Sequence, residues 1–190
     1  MTPRIGLFAY GSLVDPESAS RTLGREVPPP VVARLEGWRR RWSQYRDNLA
    51  VEKTFARRDD GHLPRHLLGL NLERSDSDDE APNGVLLEVT HYELLRLDVR
   101  ELRYDRVEVA PLGGFERVFA YTAKQTNFAP QPPPGAAIVR AYAEAVEAAF
   151  AALGDGELRV FRGTTGAPPV ELVDAVLVRD RIPLGNPRDW

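Results

Sequence analysis

An apolar run that ends in a glycine turn places the strongest constraint on the fold of this chain. Ile5–Ala9 is apolar throughout, which predicts a buried strand, and the turn Tyr10–Leu13, of sequence Tyr-Gly-Ser-Leu, follows it directly. Helix signals come next, because Asp15 suits the N-cap, Pro16 the first helical position and Gly24 the stop. The segment therefore predicts a strand, a turn and a helix in succession.

The turn is a candidate binding loop made of Tyr10, Gly11, Ser12 and Leu13. Backbone amides that follow a buried strand point outward without partners, so they can bind a carboxylate, a phosphate or a developing oxyanion. Ser12 could instead be a hydrolase nucleophile, but Val14 stands where a nucleophile elbow has glycine. A phosphate-binding loop would need lysine in place of Ser12. We therefore expect the serine hydroxyl to bond a neighbouring amide or the ligand.

Size and charge narrow the class of protein. With 190 residues, of which 43% are hydrophobic, the chain can fill one core, so residues 1–190 are predicted to form a single domain. The net charge of −3 argues against a general nucleic-acid binder, although Arg39–Arg41 is a local basic cluster. The absence of cysteine excludes disulfides and a thiolate nucleophile. With no apolar run of about 20 residues and no signal-peptide pattern, we expect a cytoplasmic protein without a membrane partner.

The rest of the chain alternates strand and helix patterns, which predicts an α+β fold. The predicted strands are 67–72, 85–89, 107–109, 115–121 and 172–178, with 31–45 as a long strand or a strand pair. Strands 67–72 and 85–89 predict a hairpin, joined by the acidic stretch 73–80 and the turn signal Pro82-Asn83-Gly84. The longest helix is predicted over 137–153. Residues 47–65 are polar and irregular, and the C-terminal tail region, 154–190, adds only a strand.

A second candidate functional residue, Glu101, lies at the end of another predicted helix. Thr90 and Glu93 form a capping box that opens this helix, which extends to about Glu101. At about 100° per residue, Glu101 falls between Leu94 and Leu97 on the apolar stripe. The arginines of the segment gather on the opposite side; they are Arg96, Arg100 and Arg103.

An inward carboxylate at Glu101 would have chemical consequences. A buried carboxylate either pairs with a cation or binds a proton more readily, and the second outcome is what a general base requires. The other interpretation is that the helix ends before Glu101 and that the carboxylate is solvated or caps a neighbour. The helical pattern alone leaves both interpretations open.

Other motifs carry weaker signals. His62 and His66 are four residues apart, but the proline between them disfavours the helix that would align two metal ligands. The acidic stretch 73–80 resembles the start of a calcium loop, but Ala81 replaces the required glycine. Aromatic and arginine side chains of Trp38–Tyr45 could stack nucleobases, but a strand divides them between two faces. We interpret this segment as packing, with one arginine available to a substrate carboxylate.

Several segments together resemble the γ-glutamylcyclotransferase-like family. They are Phe8–Leu13 (Phe-Ala-Tyr-Gly-Ser-Leu), Gly84–Thr90, Leu97–Glu101 (Leu-Asp-Val-Arg-Glu) and Tyr104–Val107, and Leu35–Trp42 resembles the family's second strand. The order and the spacing of the segments agree with the family as well. The resemblance is clearest over residues 4–150.

The resemblance implies a small mixed β-barrel flanked by helices, and an enzyme of the carbon–nitrogen lyase or acyl transferase type. Members of the family cleave γ-glutamyl amides by internal attack of the substrate's α-amino group, which releases 5-oxoproline and an amine or amino acid. On this chain, the Tyr10–Leu13 turn would hold the γ-glutamyl group, chiefly with backbone amides, and Glu101 would be the catalytic acid/base. No metal, cofactor or nucleic acid is implied.

The sequence is compatible with two functions. The first is the enzyme, whose partner is a small-molecule γ-glutamyl substrate with an unspecified leaving group. The second is a binding module that recognises a γ-glutamyl-like small acid in the same pocket without turning it over. The oligomeric state is not readable from the sequence.

Overall fold

In a computed structural model of the chain, residues 3–182 and 186 are described. Within this range eleven strands form three sheets. The strands are β1 (Ile5–Ala9), β2 (Val31–Arg34), β3 (Trp38–Asp47), β4 (Lys53–Arg57), β5 (His66–Arg74), β6 (Asn83–Glu88), β7 (Tyr104–Val109), β8 (Arg117–Ala123), β9 (Ala136–Val139), β10 (Leu172–Val173) and β11 (Ala175–Asp180). The helices of the same range are α1 (Pro16–Leu23), α2 (His91–Arg100), α3 (Arg140–Ala152) and α4 (Asp155–Thr165).

The largest sheet has five strands in the order β2-β6-β1-β8-β7, with β1 antiparallel to β6 and parallel to β8. A second sheet has the order β10-β9-β5-β3, and β11 pairs with β4 in a third. The α+β class is therefore confirmed. In the described part of the chain, however, no sheet closes on itself, so the predicted β-barrel is not found. Where β5 approaches β8, the side-chain oxygen of Asn71 accepts the amide of Ala123 at 2.7 Å, so a side chain makes this junction.

Strand β1 and helix α1 agree with the sequence prediction. All five residues of β1 are buried, as expected for a strand with neighbours on both edges. The carboxylate of Asp15 accepts the amide of Ser18 at 2.9 Å and caps α1. Gly24 ends the helix in the left-handed conformation, with φ of 74°. The strand, the turn and the helix thus follow one another as predicted.

The described helices include none that is long and apolar enough to span a membrane.

Arg40 is a charged side chain at the centre of the core, with 0% of its surface exposed. Its Nη1 donates to the carbonyl of Asn83 at 2.7 Å and to that of Tyr10 at 3.3 Å. Its Nε donates to the hydroxyl of Thr165 at 2.7 Å, and the guanidinium lies 4.3 Å from the ring centroid of Phe161. Burial lowers the pKa of Arg40 from its ordinary value. Neutral oxygens and aromatic faces therefore replace the water around this cation.

The neighbouring arginines of the basic cluster face away from the core. Arg39 pairs with Glu73 at 2.9 Å, and Arg41 pairs with Glu80. None of the three arginines lines the cavities described below. The three arginines therefore interact with other residues of the protein. The prediction that one of them would be available to a substrate carboxylate is not supported.

We expect the conversion Arg40→Lys to lower the free energy of unfolding by about 2–4 kcal/mol, because a lysine cannot satisfy the separate acceptors of the guanidinium fork. Arg39→Lys makes the same chemical change on the same strand, at a side chain that is 39% exposed, and should cost less than about 1 kcal/mol. Urea denaturation with both variants tests this. Equal midpoints for the two variants would contradict the role given to Arg40.

The predicted hairpin between residues 67–72 and 85–89 is wrong. Strand β5 pairs with β3 and β9, whereas β6 pairs with β1 and β2, so the chain crosses from one sheet to the other between them. The turn-type residues serve other purposes. Asn83 is fully buried and binds Arg40, and a Cβ added at Gly84 would lie 2.4 Å from the carbonyl oxygen of Ala9. Here, glycine permits the close approach of two backbones.

Gly84→Ala should lower the free energy of unfolding by about 1–3 kcal/mol, because the new methyl group meets backbone that can move only if the sheet moves. The control is Gly163→Ala on α4, where an added Cβ meets no atom within 4 Å. Alanine at that helical position should stabilise the protein by up to about 1 kcal/mol. Thermal unfolding of the two variants should therefore shift in opposite directions.

Three further predictions need correction. Helix α3 begins at Arg140, because the first residues of the predicted 137–153 helix form β9 instead. The stretch 47–65, predicted to be irregular, contains β4, which pairs with β11. The tail contains α4 in addition to strands, and Phe161 of this helix stacks on Phe150 with ring centroids 4.5 Å apart. The tail thus packs into the main core, whereas its sequence pattern indicated only a strand.

Candidate active site

The turn after β1 is held by a hydrogen bond within it and by contacts of Tyr10 with the core. Residues 12–14 form a single 3₁₀ turn, closed by a hydrogen bond of 3.0 Å from the amide of Val14 to the carbonyl of Gly11. The carbonyl of Tyr10 accepts from Arg40, and the hydroxyl of Tyr10 donates to the main-chain carbonyl of Tyr121 at 2.6 Å. The first amides of such a turn have no acceptor within it. The turn therefore presents amides from a backbone that the core holds in place.

Glu101 is the C-cap of α2, and its amide donates to the carbonyl of Leu97 at 2.8 Å. The helix thus ends before Glu101, as one of the two interpretations proposed. The side chain is nevertheless enclosed, with only 14% of its surface exposed. Because the backbone leaves helical geometry here, with ψ of 47°, the helical projection that placed Glu101 on the apolar stripe does not extend to it.

The same helical projection also misplaced two arginines of this segment. Arg100 and Arg103 were expected on the solvent side, but both side chains are buried. Arg103 pairs with Glu52 through two oxygens at 2.5 and 2.6 Å. Arg100 pairs with Glu101 and also donates to the hydroxyl of Ser12 at 3.1 Å. Arg100 therefore joins the carboxylate of Glu101 to the turn, which brings the two sequence-predicted features together.

Two cavities meet at this point. A small chamber of about 60 Å³ lies against β1 and the turn, and a groove of about 670 Å³ adjoins it. The chamber is lined by all four residues of the predicted binding loop and by Glu101. The residues that line both cavities are Ser12, Arg100, Glu101, Tyr104 and Tyr142. Glu101 thus stands where the chamber and the groove adjoin.

Arg100 has one donor that is not used by the protein. Its Nε is buried and has no hydrogen-bond partner among the described residues. A buried donor without a partner costs free energy, and protein atoms cover this one, so a ligand oxygen could reach it only if they moved. Because Arg100 lines both cavities, it is suited to an anionic or carbonyl oxygen bound beside Glu101.

Tyrosine hydroxyls complete the chamber. The hydroxyl of Tyr121 donates to Asp98 at 2.7 Å, and that of Tyr104 donates to the carbonyl of Leu70 at 2.7 Å. Burial is the main cause that raises the pKa of both Tyr10 and Tyr121, and the hydrogen bond to Asp98 raises that of Tyr121 further. Both hydroxyls therefore stay protonated at neutral pH and act as donors. Glu101 is the carboxylate that lines the chamber.

No metal site emerges from the part of the chain that is described. His, Cys, Asp and Glu side chains form no group of three there that could hold a metal ion. His66 lies beside Tyr45, with ring centroids 5.6 Å apart, and its Nδ1 is 3.4 Å from the carbonyl of Pro134. His62 is exposed.

Sequence reasoning missed Arg100, Tyr104 and Tyr142 as site residues. The helical projection placed Arg100 opposite the apolar stripe, but its side chain reaches Glu101 and the hydroxyl of Ser12. Tyr104 belongs to the segment that carries the family resemblance, which is a signal that could have been used. Tyr142 lies on α3 with its hydroxyl 3.6 Å from where a Cβ on Gly11 would be, and no local pattern in the sequence indicates this long-range contact.

The fold is shared with known structures. Over 82% of this chain and 52% of its own, YkqA from Bacillus subtilis is similar with a TM-score of 0.54 and 22% sequence identity. A γ-glutamyl cyclotransferase specific to glutathione from yeast is similar over 86% of this chain and 96% of its own, with a TM-score of 0.52 and 15% identity. The chain spans about half the length of YkqA. No protein-family model and no curated protein sequence matches the chain.

These likenesses concern the fold. They confirm that the chain has a γ-glutamylcyclotransferase-like fold, which the resemblance of its sequence segments predicted.

Gly11→Ala tests whether the chamber binds a ligand. An added Cβ would lie 3.6 Å from the hydroxyl of Tyr142 and 3.9 Å from Leu70, so the methyl group fits the fold but reduces the chamber. We expect the affinity for 5-oxoproline, measured by titration calorimetry, to fall by at least about ten-fold, while the melting temperature changes little. Unchanged affinity in the variant would exclude the chamber as the binding site.

Proposed function

We propose that this protein is a γ-glutamylcyclotransferase, which cleaves a γ-glutamyl amide into 5-oxoproline and an amine or amino acid. The observation that carries the proposal is the position of Glu101 where a small chamber adjoins a large groove. A γ-glutamyl head in the chamber would place its amide bond beside this carboxylate. The groove would then receive the group on the other side of the bond.

The reaction needs one proton carrier and an oxyanion site. The α-amino nitrogen of the substrate attacks its own γ-carbonyl carbon, which closes a five-membered ring and breaks the bond to the leaving nitrogen. Because nucleophile and carbonyl belong to one molecule, the substrate already provides their proximity. The Glu101 carboxylate takes the proton of the attacking amine and gives it to the leaving nitrogen, so that it ends the cycle ionised.

The turn supplies the oxyanion site in this proposal. The amides of Ser12 and Leu13, at the start of the 3₁₀ turn, are suited to the carbonyl oxygen as it becomes negative, or to the α-carboxylate of the substrate. The guanidinium of Arg100, a residue that lines both cavities, is a further donor for the same anionic groups. Ser12 positions the site through its bond with Arg100, in agreement with a role that is not nucleophilic.

We propose further that the chain acts as one unit, residues 1–190, including the tail. Helix α4 of the tail covers Arg40, and Arg40 binds the carbonyl of Tyr10 at the start of the turn. Removal of the tail would thus expose a cation that supports the site.

A binding module remains the second candidate function, because the ion pair between Arg100 and Glu101 favours it. The guanidinium occupies an oxygen of Glu101 that a general base would have to present to the attacking amine. A protein that only recognises a γ-glutamyl-like acid could keep this pair intact. In the enzyme, substrate anions compete for Arg100 and release the carboxylate of Glu101 for proton transfer.

Glu101→Gln separates the two functions, because the amide keeps the size of the side chain but cannot carry the proton. For the enzyme, we expect formation of 5-oxoproline from a panel of γ-glutamyl dipeptides, γ-glutamyl amines and glutathione to fall by about 10²–10⁴-fold. Glu108→Gln is the matched control, since Glu108 is an exposed partner of Arg117. Full turnover by Glu101→Gln would refute the mechanism. Binding without product in the unaltered protein would favour the module.

A further inference from the structure

The groove beside Glu101 is much larger than the chamber, at about 670 Å³ against about 60 Å³. If the γ-glutamyl head occupies the chamber, the leaving nitrogen lies at Glu101 and its substituent must extend into the groove. Pockets of several hundred Å³ are typical of sites that enclose most of a small organic ligand. The groove is therefore far larger than a leaving group such as ammonia or glycine would need.

The walls of the groove are predominantly apolar. Phe55, Leu67 and Leu68 line it from the strands, and Leu67 and Leu68 are buried there. Helix α3 contributes alanines, among them Ala145 and Ala148, whose short side chains leave room between the helix and the sheet. An apolar group in this space would gain the free energy of leaving water.

Apart from Arg100 at the end of the groove beside Glu101, the cations that line the groove contact other side chains of the protein. Arg103 pairs with Glu52 at 2.5 Å, and Arg21 pairs with Glu17 at 3.7 Å. The guanidinium of Arg46 lies 5.0 Å from the ring centroid of Phe55. We therefore expect the apolar walls of the groove, and not a dedicated anion site, to be the main source of selectivity.

We infer that the groove selects γ-glutamyl conjugates whose leaving group carries a bulky apolar side chain. The inference rests on the proposed function and names its substrate class. Each methylene that becomes buried is worth about a four-fold gain in binding. A leucine side chain has three more carbons than that of alanine, so kcat/KM should rise by roughly 60-fold if all three are buried.

Three conjugates of defined leaving group test this selectivity in the full chain. γ-Glutamyl-leucine and γ-glutamyl-asparagine have leaving groups of nearly equal size and opposite polarity, and γ-glutamyl-alanine has a small one. We expect kcat/KM for 5-oxoproline release from the leucine conjugate to exceed both others by at least about ten-fold. γ-Glutamyl-3-methylbutylamine, which lacks the carboxylate of leucine, shows whether the apolar group alone suffices.

A variant of the groove adds a second readout. Ala145→Phe fills the groove from α3, and Ala151→Phe is the matched control, since Ala151 is exposed on the same helix and does not line the groove. Ala145→Phe should lower kcat/KM for the leucine conjugate by at least about ten-fold and leave that for the alanine conjugate within about two-fold. The control should change neither.

The possible outcomes separate the two proposals. If 5-oxoproline forms from the alanine or asparagine conjugate as readily as from the leucine conjugate, the selectivity is refuted and the proposed function stands. An equal loss for all conjugates in Ala145→Phe also refutes it. If no conjugate yields 5-oxoproline, the proposed function fails, and the inference fails with it.

Discussion

A charged guanidinium lies at the centre of the core at Arg40, and the surrounding backbone is arranged to receive it. Removal of a cation from water costs several kcal/mol unless its donors are satisfied. This demand accounts for several otherwise separate features. Asn83 begins a strand with its carbonyl turned inward, and α4 packs with the hydroxyls of Thr164 and Thr165 beside the guanidinium. The sheet, the turn after β1 and the C-terminal helix are thus held by one side chain.

The contacts extend from Arg40 to the candidate site in a few steps. Tyr10 offers its carbonyl to Arg40 and its hydroxyl to the main chain of Tyr121. The hydroxyl of Tyr121 in turn bonds Asp98 on α2, two residues before Arg100. The end of α2 then carries the paired side chains of Arg100 and Glu101. The geometry of the site is therefore determined by the core and by one helix end, and it does not depend on a long surface loop.

Local signals in the sequence predicted the elements whose causes are local. The caps of α1 and α2 and the buried strand β1 are set by residues within one or two turns of each other, so they could be predicted with their boundaries. Strand pairing is decided over long distances, and the hairpin prediction failed there. Asn83 and Gly84 have the composition of a turn, yet their places are set by Arg40 and by the backbone of Ala9. At the site, the turn and Glu101 could be named from the sequence, whereas the contact between Tyr142 and the turn depends on packing alone.

The unequal size of the two cavities has a kinetic consequence for the proposed reaction. In the proposed reaction, the ring of 5-oxoproline would form in the small chamber and the departing amine would lie in the wide groove. The amine would then leave first, with the lactam released after it. Such an order makes 5-oxoproline a competitive inhibitor against the substrate and the amine a noncompetitive one. In the proposed reaction, accumulated 5-oxoproline would therefore slow turnover most when the substrate is far below saturation.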